Sequence, residues 1–231
     1  MIMAQMGLGY GSEFQLMRFL GHHREYLNSL IRDQAKIDGP IEWKDYPADD
    51  TNLSGDREYV GIECFKELEN YAVIKHNWKK FWPGQGNSMN WDGIFTSGDE
   101  WFFVEAKAHK SESFQKCTAS SKESRDTISR AFKSTQEELL KIENIESDWI
   151  TTNCYQLANR LAFIHFCRDN NIKARLIYIG FIKGFRRKQD EVQSAKEWMD
   201  IWTEELNTLG LNMEIVSPYL SFVHPDCENP E

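Results

Sequence analysis

The stretch Trp101-Phe-Phe-Val-Glu-Ala-Lys-Ala-His109 decides how this chain is read. It opens on aromatic and β-branched residues, the composition of a strand. Residues 89–96 read the same way, and Ser97-Gly-Asp-Glu100 between the two segments is a turn signal. Residues 89–108 are therefore expected to form a β-hairpin with a four-residue connection. On a strand, residues two apart share a face, so Glu105 and Lys107 project together from an apolar stretch that should lie deep in a sheet. A carboxylate and an ammonium there are costly unless they pair or hold a ligand. Asp92, in Asn90-Trp-Asp-Gly-Ile-Phe95, can approach Glu105 across the hairpin or its distorted end. Two carboxylates near one point repel each other, and a divalent cation relieves the repulsion. Oxygen-only ligation of this kind suits magnesium or manganese.

A Glu-x-Lys by itself carries little information, because chance supplies about one at ordinary charged-residue frequencies. This chain holds a second, Glu42-Trp43-Lys44, among loop signals and with no apolar strand leading into it; it is set aside. The copy at Glu105 has the strand, the upstream aspartate and a following helix. Its bland alternative is a buried Glu105–Lys107 ion pair with no ligand.

Working outward, Ser12 followed by residues 13–34 reads as one capped helix, with Phe14, Met17, Leu20, Leu27 and Leu30 or Ile31 on one side. Residues 57–71 are a second helix candidate, with Tyr59, Ile62, Phe65 and Leu68 at helical spacing; 72–78 is a short strand candidate and 81–87 a loop. Beyond the hairpin, 126–142 reads as an amphipathic helix and 153–169 as a far more apolar one. Residues 175–182 form a near-continuous apolar run, the pattern of a strand covered on both faces. A last helix over 192–209 precedes a short strand near 213–216. The expected class is α/β: a mixed central sheet flanked by helices in a single domain over 1–231.

The chain has 231 residues and a formal net charge of −9, which taken as a mean would exclude a polyanionic partner. Position changes that. Residues 189–231 hold ten acids and one base, so the whole excess lies there. The first 188 residues are balanced, and within them 171–188 carries six bases and no acid. A protein meets a polyanion with a local face and not with its mean charge. The five cysteines are scattered without C-x-x-C spacing, so reduced thiols are expected. No signal peptide and no apolar run of membrane-spanning length is visible, which predicts a cytoplasmic protein without a membrane partner. Gly7-Leu-Gly-Tyr-Gly11 has no preceding strand and no Gly-Lys-Ser/Thr, so it is a poor phosphate loop.

The order Asp92…Glu105-Ala106-Lys107 across a hairpin, then a helix and a buried strand, resembles the PD-(D/E)xK phosphodiesterase superfamily with its restriction-endonuclease-like fold. The resemblance covers residues of about 58–182, with a helical extension over 1–57 and an acidic helix and strand over 189–231. It implies an αβββαβ core, Mg (or Mn), and hydrolysis of nucleic-acid phosphodiesters, with DNA the first expectation and a homo-oligomer left open. Carried over, Asp92, Glu105 and the Ala106 carbonyl would be metal ligands, and Lys107 would orient or activate the attacking water. The proline that usually precedes the aspartate is Trp91 here. Phe81-Trp-Pro83, Trp91-Asp92, Val104-Glu-Ala-Lys-Ala108 and Tyr155-Gln-x-Ala-Asn-Arg-Leu-Ala162 further resemble an uncharacterised bacterial branch of the superfamily. Several nuclease branches supply a glutamine from the helix after the Glu-x-Lys strand, and Gln156 is the candidate. Gln156, Asn159 and Arg160 lie at i, i+3 and i+4, a polar stripe on an apolar helix that must face a partner or a wet cleft. Lys110, Arg160, Lys183, Arg186, Arg187 and Lys188 are the candidate nucleic-acid contacts. Glu63 or Glu69 could add a carboxylate, and His109 follows Lys107 on the same strand face.

Overall fold

The computed structural model describes residues 11–46, 58–84, 89–143, 147–184 and 190–230. In chain order the elements are α1 (Ser12–His22), α2 (Arg24–Ala35), β1 (Glu42–Trp43), β2 (Tyr59–Val60), α3 (Tyr71–Phe81), β3 (Asn90–Trp91), β4 (Gly93–Ser97), β5 (Glu100–Lys107), α4 (Lys122–Leu140), α5 (Tyr155–Asp169), β6 (Ala174–Gly180), α6 (Ala195–Thr208), α7 (Met213–Val216) and β7 (Leu220–Val223). The protein is α/β, with a mixed five-stranded sheet in the order β1-β4-β5-β6-β7. β1 and β4, and β4 and β5, run antiparallel; β5, β6 and β7 run parallel. The hairpin turn is Gly98-Asp99, two residues and not four, because Ser97 still pairs with Glu100.

β5 is the central strand and is buried from Phe102 to Lys107. Alternation sends Phe102, Val104 and Ala106, with Ile177 and Ile179, against Leu16 and Phe19 of α1 and Leu27 and Ile31 of α2. The opposite face carries Phe103, Leu176 and Tyr178 into a second core with α3, α4, α5 and α6. Glu105 and Lys107 share that second face by the same alternation. α6 lies so close to β6 there that a Cβ added at Gly180 would come within 2.7 Å of the Trp198 ring. Gly180→Ala is expected to lower stability by about 1–3 kcal/mol, the range for overpacking a filled core, read as a fall in the melting temperature.

Four expected elements differ. The helix expected over 13–34 is two helices, broken at His23 (φ −131°, ψ 34°); of the expected stripe Leu27 and Ile31 are buried, but in α1 the buried residues are Leu16 and Phe19 while Met17 is 37% exposed. The break lets both helices lie on the sheet. Residues 58–70 do not form the expected α-helix: Tyr59 pairs with Trp91 and Val60 with Asn90, Gly61 then turns the chain at φ +52°, and a single 3-10 turn follows at Glu63–Phe65. The indole N–H of Trp91 donates to the Gly61 carbonyl at 3.2 Å, a long-range bond that outweighs the local helical spacing. Residues 72–78 belong to helix α3, not a strand. Its apolar residues follow the helical period, with Trp78 edge-on to Phe163 and Phe166 of α5 while Val73 stays 59% exposed. The strand expected near 213–216 is the short helix α7, whose start the Asn212 side chain caps by accepting from the Ile215 N–H; the strand follows as β7.

The five cysteines form no disulfide. Among the described residues no helix is long and apolar enough to cross a membrane.

Candidate functional site

Asp92 occupies the single-residue gap between β3 and β4, where the hairpin parts. Its carboxylate Oδ2 accepts from the Ala106 N–H at 2.6 Å, and its carbonyl accepts from the Tyr46 hydroxyl at 2.5 Å. The distorted hairpin end expected from the sequence is thus where Asp92 reaches β5. Backbone groups alternate along a strand, and the Lys107 carbonyl accepts from the Phe181 N–H on the β6 side. The Ala106 carbonyl therefore points the other way, toward the side that Asp92 occupies.

Glu105 and Lys107 are almost wholly buried, with side chains 3% and 4% exposed, and lie 2.6 Å apart. α5 completes the site. Gln156 donates through Nε2 to Glu105 Oε1 at 2.7 Å and accepts from Lys107 Nζ at 2.6 Å, so it braces both heads. Arg160 Nε donates to Glu105 Oε2 at 2.6 Å, its Nη1 donates to Asn159 Oδ1 at 2.9 Å, and its guanidinium lies 4.8 Å from the Trp91 ring centre. The polar stripe of α5 thus meets the Glu105–Lys107 pair directly. Lys107 has three protons, of which Glu105 and Gln156 take two; the third has no acceptor among the described residues.

The two carboxylates titrate in opposite directions. Burial acts to raise the pKa of Glu105 but is outweighed by the charges and hydrogen bonds of Arg160 and Lys107, which hold it below the ordinary glutamate value. Burial, followed by repulsion from Glu105, pushes Asp92 well above the ordinary aspartate value, against the attraction of Lys107. Asp92 is the group whose negative charge lacks compensation. Glu58 adds to the repulsion on Asp92, and Glu13 in turn feels Glu58. The acid from outside the hairpin whose charge reaches Asp92 is thus Glu58, the residue before β2, and not Glu63 or Glu69. Glu63 instead accepts from the Val60 N–H and faces Lys66 at 3.7 Å. His109 turns to Glu112 and Ser111, away from Lys107.

The remaining candidates are spread out. Lys110 pairs with Glu197 at 2.5 Å and Lys183 with Glu228 at 2.7 Å, so the acidic C-terminal segment folds back on bases that the sequence offered to nucleic acid. Arg186, Arg187 and Lys188 lie outside the described residues. Gln156, Asn159 and Arg160 line a cleft of about 740 Å³ between α5 and the segment entering α4.

Sequence reasoning missed Glu205. It is fully buried on α6, and neither carboxylate oxygen has a hydrogen-bond partner among the described residues; the Tyr178 hydroxyl and Trp202 Nε1 are likewise buried and unpartnered there. Burial pushes its pKa up to about 8, with Lys107 pulling down and Glu105 and Glu204 pushing up. Its signal was legible: Trp198, Ile201, Trp202, Glu205 and Leu206 share one helical face, and an acid on an apolar stripe is never neutral information.

Fit to a divalent cation can be judged from the donors. Asp92 and the Ala106 carbonyl offer oxygen on one side, and Asp92 Oδ1 has no donor among the described residues. Glu105 is less free, since both of its oxygens already accept from Lys107, Gln156 and Arg160. Among the described residues no three His, Cys, Asp or Glu side chains gather as a ready metal cage. Oxygen donors such as those of Asp92 and the Ala106 carbonyl are of the kind that magnesium and manganese take. The chain finds no match among protein families, curated proteins or solved structures.

Proposed function

We propose that the chain is a metal-dependent nuclease that hydrolyses nucleic-acid phosphodiester bonds through Asp92, Glu105, Lys107 and Gln156. The observation that carries this reading is convergence: the aspartate of a parted hairpin, both charges of the Glu-x-Lys and the helix glutamine meet at one place. Such a mixed set of acid and base, with carboxyl pKa values pushed apart by burial and charge, is typical of a working site. The order α3, β4, β5, then α4 and α5, then β6 parallel to β5, is compatible with a restriction-endonuclease-like core. Asp92, Glu105 and the Ala106 carbonyl would hold Mg or Mn, which when bound supplies Lewis acidity and positive charge at a phosphoryl centre. Lys107 would add charge where the transition state becomes more negative. Gln156 keeps Lys107 and Glu105 in register.

The full chain with magnesium or manganese is expected to cleave single- or double-stranded nucleic acid, and Asp92→Asn to abolish cleavage without unfolding. Since Asp92 is repelled by Glu105 and raised by burial, removing its charge should leave the melting temperature at pH 8 unchanged or raise it by roughly 2–4 °C. A manganese-soaked crystal with no anomalous density between Asp92 and Glu105, together with no turnover of any substrate, would sink the reading. One observation favours a rival, a catalytically degenerate nuclease-fold protein that binds nucleic acid or a protein partner. The charge of Glu105 is already balanced by Lys107 and Arg160, so the pair is complete without a metal. Binding of nucleic acid without turnover would select that rival.

A further inference from the structure

The cleft beside the site has a composition that a phosphate-tracking groove would not have. Its walls carry amide and hydroxyl groups, among them Asn90, Gln115 and Thr118, with Tyr155 and Pro83 partly exposed, while Trp82, Met89 and Asn159 stand buried behind them. Among the described residues the one charged side chain in its lining is Arg160. At about 740 Å³ it falls within the range of about 300–1,000 Å³ for pockets that enclose a small-molecule-sized ligand. Amides both donate and accept, so they can meet the edge of a flat heteroaromatic ring, and an aromatic or apolar wall can take its face. A polyanionic backbone would need several cations here. Arg160 stands at the catalytic end, where it bonds Glu105 and keeps Nη2 without an acceptor among the described residues.

We infer that this cleft receives one unpaired nucleobase, with the attached phosphate directed to Arg160 and the Glu105–Lys107 pair. The substrate class is single-stranded nucleic acid, or a strand end or extruded nucleotide, since a base that stays stacked and paired in a duplex cannot enter a pocket of this kind. This rests on the proposed nuclease reading for the role of the phosphate, but not for binding of the base. Arg160 and Gln156 connect the two regions, because each lines the cleft and bonds to Glu105.

The test uses the full chain in chelator, so that binding is read without cleavage, with fluorescently labelled twelve-nucleotide strands followed by anisotropy. The single strand is expected to bind about tenfold more tightly than the same strand carrying abasic sites, the range for one stacked base, and more tightly than its duplex. Thr118→Gln, at an exposed position of the cleft wall, adds bulk without a ring or a charge and should shrink the difference between intact and abasic strands while the melting temperature holds. Equal affinity for intact and abasic strands, or a preference left whole by Thr118→Gln, would overturn the inference. The same preparations with magnesium separate the two claims. A base preference without cleavage keeps the cleft assignment and removes the catalytic one. Cleavage indifferent to an abasic site does the reverse.

Discussion

Glu105→Ala should lower stability by about 3–5 kcal/mol, whether or not the protein is an enzyme. Glu105 is the shared anion of two buried cations, Lys107 and Arg160, and its side chain is 3% exposed. Removing one partner of a buried ion pair leaves uncompensated charge in a low-dielectric setting, which costs far more than the intact pair contributes. Lys107→Ala should do less harm, because Arg160 and Gln156 still satisfy Glu105. Chemical denaturation of the two variants checks the order; a Lys107→Ala protein less stable than Glu105→Ala would contradict this account of the charge balance. The consequence for function is practical: lost activity in Glu105→Ala is uninformative unless folding is measured beside it. Glu105→Gln keeps oxygen and shape while removing the charge, and Asp92→Asn keeps the acceptor for the Ala106 N–H.

The second large effect is expected at Glu205. Its carboxyl holds its proton up to about pH 8 in the folded state against an ordinary value of 4.5. Between those values the folded state binds more protons than the unfolded chain, so stability falls as pH rises through the window. Its full contribution above pH 8 is a loss of roughly 3–5 kcal/mol, since each tenfold change in proton affinity is worth about 1.4 kcal/mol. Glu205→Gln removes the titration. The variant should match the parent near pH 4.5 and exceed it by about that amount at pH 9, read from denaturation curves at both. An advantage that does not change with pH would mean that Glu205 is not the titrating group. The two predictions bear on one region, since Lys107 and Glu105 both act on Glu205 through the interior.

How far the sequence reaches is clearest at particular residues. Glu105, Lys107 and Gln156 can be found because strand and helix periodicities place each on a known face, and their convergence needs only that α5 pack on β5. Asp92 can be found as a neighbour across a hairpin or its distorted end, and the structure then shows that the strands part at that one residue. Residues 57–81 mislead because their local pattern is not the one that wins. Tyr59, Ile62, Phe65 and Leu68 have helical spacing, yet the partner strand at Trp91 and the turn at Gly61 outweigh it. Tyr71, Ile74 and Trp78 then continue as a true helix because α5 is there to receive them. The net charge of −9 belongs to the C-terminal segment, and only the folded chain shows Glu197 and Glu228 closing onto Lys110 and Lys183.

The sequence by itself determined the central hairpin, the buried parallel strand, the apolar helix and the Glu-x-Lys with its glutamine. Each is a matter of local period, and period is written in the order of residues. The tertiary structure alone decided that Arg160 shares Glu105 with Lys107, that Asp92 is the uncompensated carboxyl, and that Glu205 lies unpartnered behind them. Those depend on which charges are brought together and how much water is excluded, and neither quantity is local to any stretch of chain.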